Sequence, residues 1–163
     1  MLSLPGGKAA PYSAIQSPDP INAVFSPDGR WVAYNKTEGA SWVYVEPFPA
    51  TGAKYQMKHM GAHHPIWSPD GTELFYIPGP GQFVAVSVTT KPIFTFGNPV
   101  PVPRRFTQGN APTNVRSFDI TPDGKQFLGM VVAGEAQSGT PTAARIEVVL
   151  NWVEELKQRV PNK

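Results

Sequence analysis

All three histidines of this 163-residue chain lie close together, at His59, His63 and His64. Neutral imidazole is a common ligand for zinc and other transition metals. A divalent ion such as zinc on His63 and His64 could lower the pKa of a bound water and hydrolyse an ester or phosphoester. A second set of polar residues stands at matching positions. Counted back from each copy of a repeated turn phrase, Asn22, His64 and Ser117 share one register position, and Ile21, His63 and Arg116 the one before it. Asp119 stands where the other copies carry Val24 and Ile66. A carboxylate there, near Arg116, can pair ionically, bind a ligand or act as a general base. The candidates are therefore His63, His64 and Asp119 for catalysis, His64, Asn22, Arg116 and Ser117 for ligand binding, and His63 and His64 for a metal. The alternative reading is structural: these groups solvate a channel, bond a neighbouring sheet, or form an Arg–Asp pair at its rim. Adjacent residues of a strand point to opposite faces, so only one of His63 and His64 is expected to face a channel.

The elements that position these residues follow from the phrase itself. It occurs as Phe25-Ser26-Pro27-Asp28-Gly29, Trp67-Ser68-Pro69-Asp70-Gly71 and Ile120-Thr121-Pro122-Asp123-Gly124. Proline presets φ at the second turn position, Asp bonds nearby backbone, and Gly accepts positive φ. That chemistry assigns Asp28, Asp70 and Asp123 to the turns rather than to a carboxylate site. The flanking segments alternate as half-buried strands do. The copies start 42 and then 53 residues apart, near the roughly 40–45 residues of one four-stranded propeller blade.

The spacing predicts an all-β chain: a partial β-propeller of three four-stranded blades, at about 17–60, 61–107 and 113–151, in one domain spanning 1–163. The second blade's outer strand is expected at Val100 to Phe106. The third blade takes Val115 to Ile120, Gln126 to Val132 and Arg145 to Leu150. Beyond it, Asn151 caps a short helix with Glu154 in the capping-box position, opening a tail over 151–163. Three blades make half a ring, since closed propellers have about four to eight. The exposed blade faces predict self-association into a six-bladed homodimer, with an N-terminal strand at 8–16 exchanged to a neighbouring copy.

The repeated strand-Ser/Thr-Pro-Asp-Gly-strand pattern resembles the TolB-type, WD-like β-propeller repeat. More closely, Phe25 to Tyr34, Val43 to Pro49, Gly71 to Tyr76 and Val148 to Trp152 resemble the C-terminal blades of propeller regions that follow bacterial serine/threonine kinase domains. The chain carries no kinase segment, so kinase activity is not implied. The resemblance implies a non-catalytic binding or interaction module with a small-molecule or protein ligand. The competing class is a metal-assisted, promiscuous hydrolase whose site forms at the channel between subunits. A passive scaffold is the third.

Composition removes other classes. Pro (19) and Gly (15) are abundant, as expected of short strands joined by tight turns. The net charge of +2 is scattered rather than gathered in a stripe, which argues against nucleic-acid binding. There is no cysteine, hence no disulfide or thiolate chemistry. Ser26, Ser68 and Ser117 lack a Gly-x-Ser-x-Gly elbow, and no Walker loop, dinucleotide fingerprint or zinc-finger spacing occurs. Neither a secretory signal nor a membrane-spanning run is legible. The expectation is a soluble chain whose compartment is unread.

Overall fold

A computed structural model describes residues 21–102 and 111–129, together with Gly7, Tyr12, Ile15, Ser17 and Asp19. The chain divides into two compact units, Met1–Met130 and Val131–Lys163. All described residues belong to the first. The strand expected at 145–150 and the helix expected at the start of the 151–163 tail lie outside the described residues.

Each copy of the turn phrase folds through one set of local hydrogen bonds. The Ser26 hydroxyl donates to Asp28 Oδ1 (2.6 Å) and accepts from the Trp31 amide (3.0 Å), while the Gly29 amide donates to the Ser26 carbonyl (2.9 Å). Ser68, Asp70, Glu73 and Gly71 repeat this at 2.6, 2.9 and 2.9 Å. Thr121, Asp123, Gln126 and Gly124 do so at 2.6, 3.1 and 2.8 Å. The three glycines take φ of 69°, 72° and 69°, a conformation that costs other L-residues strain. The hydroxyl bond is the main cause that holds Asp28, Asp70 and Asp123 below the ordinary carboxylate pKa. Ser68→Ala is therefore expected to raise the Asp70 titration midpoint toward 3.8 and leave Asp28 and Asp123 where they are, as read by carboxyl-carbon NMR. Simultaneous movement of all three would show that the turns are coupled rather than locally determined.

Around these turns the described residues form antiparallel sheets and no helix. The first sheet orders β1 (Val24–Phe25), β2 (Trp31–Glu38), β3 (Ala40–Pro47) and β4 (Tyr55–Gln56) consecutively. The second orders β5 (His63–Trp67), β6 (Glu73–Ile77), β7 (Val84–Thr89) and β8 (Thr95–Phe96), and β9 (Val100–Pro101) also pairs with β7. Its outer strand is thus split in two and begins earlier than the sequence predicts, leaving Pro101 on an edge that needs no ladder donor. The third sheet comprises β10 (Phe118–Ile120) and β11 (Phe127–Gly129). None of the sheets closes on itself.

Strand alternation sends side chains to both faces of each sheet, and the two inner layers join the sheets. Ala33, Val43 and Val45 of the first sheet pack with Trp67, Leu74, Tyr76 and Val86 of the second. On its other face the second sheet packs Ile66, Phe75 and Phe83 against Phe118 and Phe127 of the third. Trp67, Phe75 and Tyr76 therefore build the layers between sheets. The outward face of the first sheet carries Val32, Tyr34 and Tyr44, covered in part by Tyr12 and Ile15. Of the segment 8–16, expected to cross to another copy, these two described residues lie on their own chain's first sheet, where the Tyr12 hydroxyl donates to the Pro47 carbonyl (2.7 Å).

Successive turns also touch. A Cβ added at Gly71 would lie 3.5 Å from Cδ of Pro27, and one at Gly124 would lie 3.4 Å from Cδ of Pro69. Each proline ring is seated on the glycine of the following turn. At the ends of the series, Gly29 has nothing within 4 Å of such an atom and Pro122 is exposed.

Candidate functional site

The residues that lead into the three turns converge on one polar hub. Asn22 and His64, equivalent by sequence register, both adopt left-handed backbone, with φ of 46° and 54°. Asn and His are among the residue types that tolerate this region best; Ser117, at the matching position, does not adopt it. At His64 the consequence is a register shift of β5 on β6 between His63 and Ile66. Strict alternation is broken there. Both imidazoles therefore come together, with ring centroids 4.5 Å apart, instead of pointing to opposite faces. This corrects the expectation that the two adjacent imidazoles point to opposite faces.

Hydrogen bonding through the hub joins all three sheets. Asn22 Nδ2 donates to Asn35 Oδ1 (3.2 Å) and to the Asn114 carbonyl (3.0 Å), while its Oδ1 accepts the Arg116 amide (3.1 Å). Asn35 Oδ1 also accepts the His64 amide (3.3 Å), and its Nδ2 donates to the Pro112 carbonyl (3.3 Å). His64 Nε2 lies 2.7 Å from the Asn114 carbonyl. A carbonyl only accepts, so that nitrogen carries the proton and His64 Nδ1 holds a lone pair. His63 Nδ1 contacts His64 Nδ1 and is accordingly the donor. This chain of bonds assigns the tautomers and leaves the lone pair of His63 on Nε2.

Burial governs the charge of the pair. His63 is 2% exposed and His64 fully buried. Desolvation, with the neighbouring His64 adding to it, lowers the pKa of His63 to about 4. Desolvation also lowers that of His64; the bond to Asn114 opposes the shift and the Arg116 charge reinforces it. Both rings are neutral near pH 7. Among the described residues no group of three His, Cys, Asp or Glu could hold a metal ion. The Nδ1 atoms of His63 and His64 are engaged with one another rather than turned to a common ligand.

Arg116 is half-buried, and its Nε donates to the Phe118 carbonyl (3.1 Å) and its Nη1 to the Pro65 carbonyl (3.2 Å). The ion pair with Asp119 that the sequence suggests is not formed. Asp119 is exposed, its Oδ1 accepts the Ile120 amide (2.9 Å), and the ion pair within 4 Å among the described residues is Lys36 with Glu38. Desolvation works against the Arg116 charge, and Asp119 offsets this only through space. Ser117 Oγ is buried without a hydrogen-bond partner. His59 stands apart from the hub, its Nδ1 accepting the Tyr76 hydroxyl at 2.9 Å when that hydroxyl donates.

The structure thus gathers Asn22, His63, His64 and Arg116, and leaves Asp119 at the surface. It adds Asn35 and the Asn114 carbonyl, which sequence reasoning missed. Asn35 is 2% exposed at a position where the second repeat carries Ile77; a polar residue in that apolar register was the available signal. A separate groove of about 380 Å³ lies between the second and third turns and includes Ser68, Asp70, Glu73, Ile120 and Asp123. Its aspartates already serve the turns. No family model, curated protein or solved structure matches the chain.

Proposed function

We propose that this chain is a non-catalytic binding module of the β-propeller kind, of the TolB-like sort its repeats resemble, built as three blades and completed to six by a second copy. The observation that carries this reading is the repeated seating of Pro27 on Gly71 and of Pro69 on Gly124. One relation between neighbouring sheets recurs, and among the described residues no proline sits on Gly29 and no following turn receives Pro122. A two-fold axis between copies fills both at once, because the Pro122 of each meets the Gly29 of the other. Tyr12 and Ile15 then lie within the junction, adding apolar area to the Val32, Tyr34 and Tyr44 face. The ligand site of this module is the polar hub, where residues from each blade's entry converge.

Light scattering tests the assembly directly. The expected molar mass is twice the 17.7 kDa of one chain, unchanged by a metal chelator. A stable monomer would overturn the reading. A dimer that dissociates on chelation would instead transfer the role of joining the copies to a bound metal.

A further inference from the structure

Arg116 is the cation of the hub, and its surroundings leave it uncompensated. A guanidinium offers five N–H donors in a rigid fork. Two are used, by the carbonyls of Phe118 and Pro65. Nη2 and the second N–H of Nη1 have no partner among the described residues. Neutral carbonyls satisfy donors but do not cancel charge, and withdrawing a cation from water without a counter-charge is unfavourable. The nearby carboxylate, Asp119, is turned to the Ile120 amide. The two imidazoles next to it are neutral and hydrogen-bonded to each other. Its backbone amide is anchored by Asn22 and its side chain by two sheets, so the fork is held in place before any ligand arrives.

We propose that Arg116 is an anion-binding residue, taking a carboxylate or phosphate group end-on through Nη1 and Nη2. The shared chemistry is a planar or tetrahedral oxyanion that accepts two parallel N–H bonds. The inference rests on the hub being the module's ligand site. It adds the charge of the ligand, and it places recognition on a residue that two carbonyls hold rigid rather than on a mobile surface lysine.

The test is an NMR titration of the Arg116 side-chain Nε–H in the wild-type protein with inorganic phosphate, and separately with acetate, at constant ionic strength. A saturable shift is expected at Arg116; the variants lack that N–H and are read at the backbone amides of residues 115–118, where binding is weakened at least about tenfold in Arg116→Gln, the loss of a charge-assisted pair. Tighter binding of phosphate than of acetate would identify a phosphorylated ligand, and the reverse a carboxylate-bearing one. Arg116→Lys keeps the charge and loses the fork, so it is expected to bind more weakly than wild type but better than Arg116→Gln. Equal shifts in sodium chloride, or no saturable shift at Arg116 in wild type, would overturn the proposal even if Arg116→Gln fails to fold. Molar mass is read on the same samples. A dimer without anion binding defeats this inference alone, and a monomer that binds defeats the assembly alone.

Discussion

Acidification from pH 6.5 to pH 4 is expected to remove about 3 kcal/mol of stability through His63 alone, since each unit of pKa difference is worth about 1.4 kcal/mol. The sign follows from proton counts. In the unfolded chain His63 titrates near 6.5, while burial in the fold holds it neutral down to about 4. Between those values the unfolded state binds more protons, so stability rises with pH across the window and is lost as pH falls through it. His64 is shifted in the same direction and steepens the slope. Structurally, the proton adds to His63 Nε2, the nitrogen that holds the lone pair, and makes a desolvated cation next to His64. Urea unfolding at pH steps between 7 and 4 measures the effect, with His63→Asn as the comparison. The variant is expected to be shallower across this window, keeping only the His64 contribution. The turn aspartates are lowered from 3.8, so their losses fall below it and are retained in the variant. Equal slopes in both proteins would show that His63 does not contribute to acid stability.

Substitution of Gly29 by Asn is expected to convert the proposed dimer to a monomer without unfolding the chain. Gly29 adopts φ of 69°, a left-handed conformation that asparagine tolerates, so backbone strain is small. Within the chain an added Cβ meets nothing within 4 Å. The side chain therefore costs the isolated copy little but fills the seat proposed for the partner's Pro122. Gly39→Asn supplies the control: its φ is 74°, and its Cβ is likewise free of neighbours, but it lies in the β2–β3 hairpin, away from the turn series. Light scattering should give half the mass for Gly29→Asn and the full mass for Gly39→Asn. Retention of the dimer by Gly29→Asn would remove the proline seat from the interface.

Features determined within a few residues were legible in the sequence. The Ser/Thr-Pro-Asp-Gly phrase specifies its own φ values and hydrogen bonds, and so the three turns and the strands that flank them follow from it. The register that equated Asn22 with His64 also has a structural counterpart in their common left-handed backbone. The same backbone is why the imidazoles were misread: alternation holds only while φ remains extended, and His64 departs from it for reasons that lie in Asn35 and Asn114. The Arg116–Asp119 ion pair was misread because proximity in sequence does not fix the direction of either side chain. Asn35 could be seen as polar in an apolar register, but its partners at Pro112 and His64 are distant in the chain.

Sequence separation has a consequence for the order of assembly. The turn bonds span at most five residues, as in Trp31 to Ser26, whereas the hub joins Asn22 to Asn114 across 92 and Arg116 to Asn22 across 94. Closing the longer loop costs roughly 2.5 kcal/mol more in chain entropy than closing the shorter one. Each turn can therefore nucleate its own hairpin early and independently, and the chain becomes a row of preformed hairpins before the row curls. The hub is the last knot to be tied, and its long-range contacts set the pace of folding.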